Sequence, residues 1–186
     1  MLKGEKVVLR PVRRTDIEYF LKWFNDSEVL QYLDLYLPMT EMAEEKYIEE
    51  LGTNRAGTQV LFVIEAIEDI SNKPIGNVTL SNIHPRNHNA IFGIAIGEKD
   101  YWSKRYGTEA TQLIIKYGFE QLNLHRITSA AKSFNVRSLK LHQRTGFTEE
   151  GRQRKADFEN GAYHDRVMFG FLREEWYDKI NQKEHK

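Results

Sequence analysis

Cysteine is absent from all 186 residues. That excludes a disulfide framework, a thiolate zinc site and a cysteine nucleophile. A surplus of charge is absent too, since 27 basic residues balance 27 acidic ones. Nucleic-acid binders usually carry a basic excess, so bulk charge gives no support for such a partner. No apolar stretch reaches the ~20 residues needed to cross a bilayer. No signal-peptide core follows the opening Met-Leu-Lys-Gly-Glu-Lys. These absences fit a cytoplasmic protein without membrane or nucleic-acid partners. No internal repeat, low-complexity segment or linker interrupts the chain. Its length suits one domain, residues 1–186.

The pattern that is present alternates between two periods. Val7 to Val12 reads as a strand. Thr15-Asp-Ile-Glu18 reads as a capping box, followed by Ile17, Phe20, Leu21 and Phe24 at helical spacing. A short helix is expected around Val29 to Leu33. Another opens at Pro38-Met39-Thr40, with Ala43, Tyr47, Ile48 and Leu51 on one face and Gly52 as its stop. Val60–Ile64, Ile75–Asn82 and Ala90–Ile96 read as an antiparallel meander. A long helix follows, about Lys104 to Leu122, with Ala110, Leu113, Ile114 and Tyr117 as its apolar stripe. Then come a strand at Arg126–Ala131 and a short helix at Ser138–Arg144 that ends at Gly146. Two strands, Phe147–Arg154 and Arg166–Leu172, flank an Asn160-Gly161 turn, and a last helix runs from Arg173 to Ile180. The order is strand, helices, three strands, helix, strand, helix, two strands: a mixed α/β domain.

Two segments carry chemistry. The first, Ile94-Ala-Ile-Gly-Glu-Lys-Asp-Tyr-Trp-Ser-Lys-Arg-Tyr-Gly-Thr-Glu-Ala110, is a strand feeding a loop that opens the long helix. Unpaired N–H groups and the dipole at a helix start favour an anion, and Lys104 and Arg105 add charge there. The loop has neither the Gly-Lys-Ser/Thr of a Walker A motif nor the glycines of a dinucleotide fingerprint. The second, Asn135-Val-Arg-Ser-Leu-Lys-Leu-His-Gln-Arg-Thr-Gly-Phe147, is a capped amphipathic helix, with Leu139 and Leu141 expected to bury and Arg137, Lys140 and Arg144 to stay exposed.

In this order the two segments resemble the GNAT N-acetyltransferase superfamily, and most closely its ribosomal-protein N-terminal and spermidine acetyltransferase subgroup. Leu9-Arg10-Pro11, Trp23 to Val29, Pro74-Ile75-Gly76, Tyr117-Gly-Phe-Glu120 with Leu124-His-Arg126, and Asn160 to Asp165 extend the resemblance over residues 7–176. It implies an α/β (α+β) fold with a central mixed, mostly antiparallel sheet of about seven strands flanked by helices. One parallel pair, Ala90–Ile96 and Arg126–Ala131, would splay apart to admit acetyl-CoA. Backbone groups of Ile94, Ala95 and Ile96 would pair with the pantetheine amides. The loop from Trp102 and Ser103 through Lys104, Arg105, Tyr106, Gly107 and Thr108 would hold the pyrophosphate. Asn135 and Ser138 would contact the pantetheine or adenosine end. The partners implied are acetyl-CoA and a primary amine, with no metal, and a homo-oligomer is compatible with the resemblance.

The sequence departs from the family pattern at two places. Ser103 and Arg105 stand where the loop usually has glycine, which permits positive φ and close approach to phosphate. The central strand, Ala90-Ile-Phe-Gly93, lacks the glutamate that often serves as general base. For the general acid, His142 occupies the position where many relatives carry tyrosine, and Ser138 is the competing candidate. A charged His142 would give a bell-shaped pH profile. His84 and His88 lie in a polar loop without further ligands, a poor metal site. His125 and His164 read as packing or surface residues. Asp26, Glu28 and Asp34 are expected on the amine-facing side. The altered loop and missing glutamate also leave open a CoA-binding regulatory or interaction module without turnover.

Overall fold

The computed structural model describes residues 1–53 and 57–184. Its eight strands are β1 (Leu2–Lys3), β2 (Val7–Pro11), β3 (Val60–Ala66), β4 (Lys73–His84), β5 (Asn89–Ile96), β6 (Arg126–Lys132), β7 (Thr148–Glu159) and β8 (Ala162–Leu172). They form one sheet in the order β1-β2-β3-β4-β5-β6-β8-β7. Every neighbouring pair is antiparallel except β5 and β6. The helices are α1 (Ile17–Trp23), α2 (Ser27–Leu30), α3 (Glu41–Thr53), α4 (Tyr106–Glu120), α5 (Val136–Thr145) and α6 (Arg173–Glu184). The extra strand over the seven expected is β1, whose two residues are too short to show a period.

One face of the sheet packs on α4. Leu9, Ile64, Val78, Leu80, Phe92 and Ile127 meet Ala110, Ile114, Ile115 and Phe119 in one buried cluster. Of the expected stripe, Ala110 and Ile114 are buried, while Leu113 and Tyr117 are half-buried. The other face packs on α1 and α3, with Phe20, Trp23 and Ile48 against Leu61 and Val63.

Local details differ from the sequence reading for identifiable reasons. The chain enters α1 through a 3₁₀ turn at Arg14–Asp16, and Thr15 is exposed. Buried Asp16 organises this turn: it accepts two 2.7 Å bonds from Arg10 and the Arg13 N–H at 2.7 Å. On α3 the inward position belongs to Glu44 and not to Ala43, and the helix passes Gly52 to reach Thr53. The short helix at Val29–Leu33 begins earlier, at Ser27, because Asp26 caps the Glu28 N–H at 2.9 Å. On α5, Leu139 and Leu141 are only half-buried; His142 and Thr145 are the buried residues. Asn160 (φ 50°) and Gly161 (φ 80°) form the expected tight hairpin turn between β7 and β8.

Candidate functional site

Strands β5 and β6 run in register for three pairs only: Asn89 with Arg126, Ala90 with Ile127, and Ile91 with Thr128. Beyond that point they part. β5 keeps its other edge paired with β4 as far as Ile96. The gap opens into a cavity of about 810 Å³ that reaches both faces of the sheet.

On the face shared with α4 and α5, the cavity is lined by Ile94, Ile96, Trp102, Ser103, Arg105, Gly107, Thr108, Asn135, Ser138 and His142; Ala95 also lines it. Lys104 and Tyr106 are not in its wall, and the Tyr106 ring packs edge-on against Tyr101 at 5.1 Å. The start of α4 has no side-chain cap; its first backbone bond is the Glu109 N–H to the Arg105 carbonyl. The preceding N–H groups at Tyr106, Gly107 and Thr108 therefore lack an intrahelical acceptor, the arrangement that receives anions. Ser103 (φ 61°) and Arg105 (φ 72°) adopt the left-handed conformation that glycine takes most readily. The Trp102 indole donates to the Ile96 carbonyl at 2.6 Å, so that part of the free strand edge already has a partner.

The Asn135 side chain caps α5 by accepting the Ser138 N–H at 3.1 Å. Arg137 lies over the rings of Trp102 (4.0 Å) and Tyr32 (4.9 Å), bridging the loop before α4 to the segment after α2. Arg144 donates to Thr108 at 3.2 Å, and Arg137, Lys140 and Arg144 all line the cavity. Their exposed positions on α5 were visible in the sequence; their convergence on the helix start was not.

His142 is only 2% exposed. Its ring stacks on Phe169 at 4.4 Å and meets Phe92 and Phe147 edge-on. Burial pushes its pKa below the ordinary value, outweighing the opposing hydrogen bond to the Ser138 backbone. Burial thus favours the neutral ring over the charged form. Nδ1 lies 2.7 Å from the Ser138 carbonyl, which can only accept, so Nδ1 carries the hydrogen. Nε2 is then free to accept from the Ser129 hydroxyl 2.8 Å away. The Ser138 hydroxyl stands farther off, 3.4 Å from Nδ1. Ser129, absent from the sequence reading, lies in the fork where β5 and β6 part; an isolated serine in a strand gives no signal of that position.

On the opposite face the cavity is walled by Val29, Tyr32, Leu33 and Asp34 together with Lys132 and Arg166. Lys132 donates to the Gln31 carbonyl (3.0 Å) and Glu159 (2.6 Å). Arg166 joins Asp34 (2.8 Å) to Asp157. Asp26 and Glu28 both pair with Lys99. Among the described residues, Asp34 is the one carboxylate in the cavity wall. No group of three or more His, Cys, Asp or Glu is placed to hold a metal ion among them, and no helix is long and apolar enough to cross a membrane.

The sheet thus opens at its one parallel pair, with a bare helix start facing the opening. Residues 6–148 match the acetyltransferase (GNAT) domain, and the chain belongs to the GNAT acetyltransferase family. It is 28% identical over 171 residues to the spermidine N(1)-acetyltransferase of Escherichia coli K12, covering 90% of this chain and 86% of that one. Among solved structures it is similar in fold to the spermidine N-acetyltransferase of Vibrio cholerae in complex with CoA and spermine. That match has a TM-score of 0.84 and 24% identity over 94% of this chain and 99% of that one. The ribosomal L7/L12 alpha-N-protein acetyltransferase RimL, in complex with CoA, gives a TM-score of 0.80 at 18% identity, covering 91% and 95%.

Proposed function

We propose that this protein transfers the acetyl group of acetyl-CoA to a primary amine, within a ternary complex, as a single N-acetyltransferase domain acting in the cytoplasm. The amine is a protein N-terminus, a polyamine or another small amine. The observation that carries the reading is the parting of β5 and β6 after Ile91 and Thr128 beside an uncapped α4 start, both opening on one cavity. A long ligand with amides in its middle and phosphates at one end matches such a cavity. The pantetheine amides take the free edge of β5 around Ile94 and Ala95. The phosphates take the N–H groups of Tyr106, Gly107 and Thr108, supported by Arg105 and Arg144. Asn135, Ser138, Ser103 and Trp102 complete the cofactor side, with Lys104 contributing charge at longer range.

The amine enters from the face of Tyr32, Leu33 and Asp34 and attacks the acetyl carbonyl carbon. A backbone N–H of the β5 edge holds the oxyanion in this reading. His142 handles the proton, its Nδ1–H fixed by the Ser138 carbonyl, and the Ser138 hydroxyl is the competing candidate. Incubation with acetyl-CoA and a panel of peptides, polyamines, aminoglycosides and amino sugars, read by mass spectrometry, tests the reading. Acetylated product from at least one amine class is expected. CoA binding by calorimetry without product from any of them would replace it with a binding role.

A further inference from the structure

We infer that Ser129 is the group that meets the reacting atoms, and that with His142 behind it forms one proton shuttle for both the attacking amine and the departing thiolate. The inference rests on the acetyl-transfer reading above. Three observations carry it.

The first is position. Ser129 is the first β6 residue past the last paired rung, Ile91 with Thr128, so its hydroxyl sits in the fork through which both faces of the cavity communicate. The second is enclosure. His142 is buried against Phe92, Phe147 and Phe169, and both its nitrogens are engaged, Nδ1 by the Ser138 carbonyl and Nε2 by Ser129. The path from its basic nitrogen to the reacting atoms runs through the Ser129 oxygen. The third is a hydroxyl with two acceptors and one hydrogen. Ser129 Oγ lies 2.8 Å from Nε2 and 3.1 Å from the Phe92 carbonyl. With the ring neutral, the hydroxyl donates to Nε2. With the ring protonated, Nε2–H donates to Oγ and the hydroxyl hydrogen turns to Phe92. Both states are hydrogen-bonded without movement of a heavy atom. Among the described residues, the one carboxylate in the cavity wall is Asp34, and it is paired with Arg166.

The step balances within the site. As the amine nitrogen bonds to the acetyl carbon, one N–H proton passes to Ser129 Oγ while the Oγ hydrogen passes to Nε2. The C–S bond then breaks with its electron pair on sulfur. Nε2–H returns to Oγ, and the Oγ hydrogen goes to sulfur. Amide and thiol leave, and the ring is neutral again.

The test compares wild type, Ser129→Ala, His142→Phe, Ser138→Ala and the Ser129/His142 double variant on one good amine. Phenylalanine keeps the ring volume against Phe169, and melting temperatures and acetyl-CoA calorimetry check that each variant folds and binds. Ser129→Ala should lower kcat by ~10²–10⁴-fold, the range for a lost proton-transfer group, with the acetyl-CoA dissociation constant held. The double variant should be no slower than the slower single one, as for residues that act as a unit. Full activity in Ser129→Ala, additive losses, or a loss confined to Ser138→Ala would each overturn the shuttle while leaving acetyl transfer standing. A wild type that acetylates no amine in the panel would overturn both together.

Discussion

At Ser103 and Arg105 two ordinary L-residues hold the backbone of glycine. The left-handed conformation costs such a residue roughly 1–2 kcal/mol, so the loop tolerates strain where it opens α4. The family resemblance implies glycine at these two positions, and with it a positive φ. Only the structure shows that the loop keeps that conformation, leaving the Arg105 side chain in the cavity wall. Arg105→Gly should therefore have two opposite effects. Relief of strain, partly offset by the ~0.5–1 kcal/mol entropic cost of glycine, should raise unfolding free energy by roughly 0.5–1 kcal/mol in urea titrations. Loss of a charge-assisted contact should weaken acetyl-CoA binding, more at low salt than at high. Tighter binding by the variant would show that the side chain obstructs the phosphates. His142 gave the sequence reading less. A histidine between Leu141 and Gln143 on a polar-looking helix carries no sign that three phenylalanines from three other segments enclose it.

Among the elements, α4 is positioned from outside by one carboxylate. Glu109 accepts the backbone N–H groups of Glu5 (2.9 Å), Lys6 (2.8 Å) and Val7 (2.8 Å), tying the β1–β2 turn to the first helical turn. An acid there also suits the helix dipole. Glu109→Ala should cost about 2 kcal/mol, the scale of a hydrogen bond to a charged group, measured as a shift in urea midpoint with unchanged slope. A loss indistinguishable from zero would mean that water satisfies the three N–H groups equally well. Some elements were legible in the sequence: α4 and α1 from helical spacing, β3 from its run of β-branched and aromatic residues. The outer half of the β7–β8 hairpin was not. Lys155 and Ala156 are exposed and offer no buried face; the arm is held by its own ladder beyond Asp157, by Arg166 with Asp157 across it, and by Glu159 with Lys132 of β6. The inward turn of Glu44 on α3 also escaped periodicity, which assigns acids outward.

For the molecule as a whole, these enclosed groups set a direction for acid stability. His142 has a folded pKa below its unfolded value near 6.5. As pH falls below that value, the unfolded chain takes up a proton that the native ring refuses, so stability drops. Glu98 acts at lower pH. Burial raises its pKa, but Lys22, Trp23 and Lys73 together outweigh that and hold it low. Its stabilising contribution is present above the unfolded glutamate value of about 4.3 and fades as pH falls through the depressed one. Urea midpoints should thus decline in two stages on acidification, and His142→Phe should remove the upper stage alone. An unaltered upper stage in that variant would assign it to another group.

The parting of β5 from β6 has a consequence for how this molecule coexists with others. A strand edge with free N–H and C=O groups ordinarily invites a foreign strand, and natural sheets blunt such edges with charge, bulges or cover. Here the second half of β5 is an edge in the interior of the sheet, walled by α5 on one side and the Tyr32 segment on the other. Elements on both faces therefore cover this edge. An edge inside the sheet, unlike one at its rim, thus needs neither charge nor a bulge to keep foreign strands away.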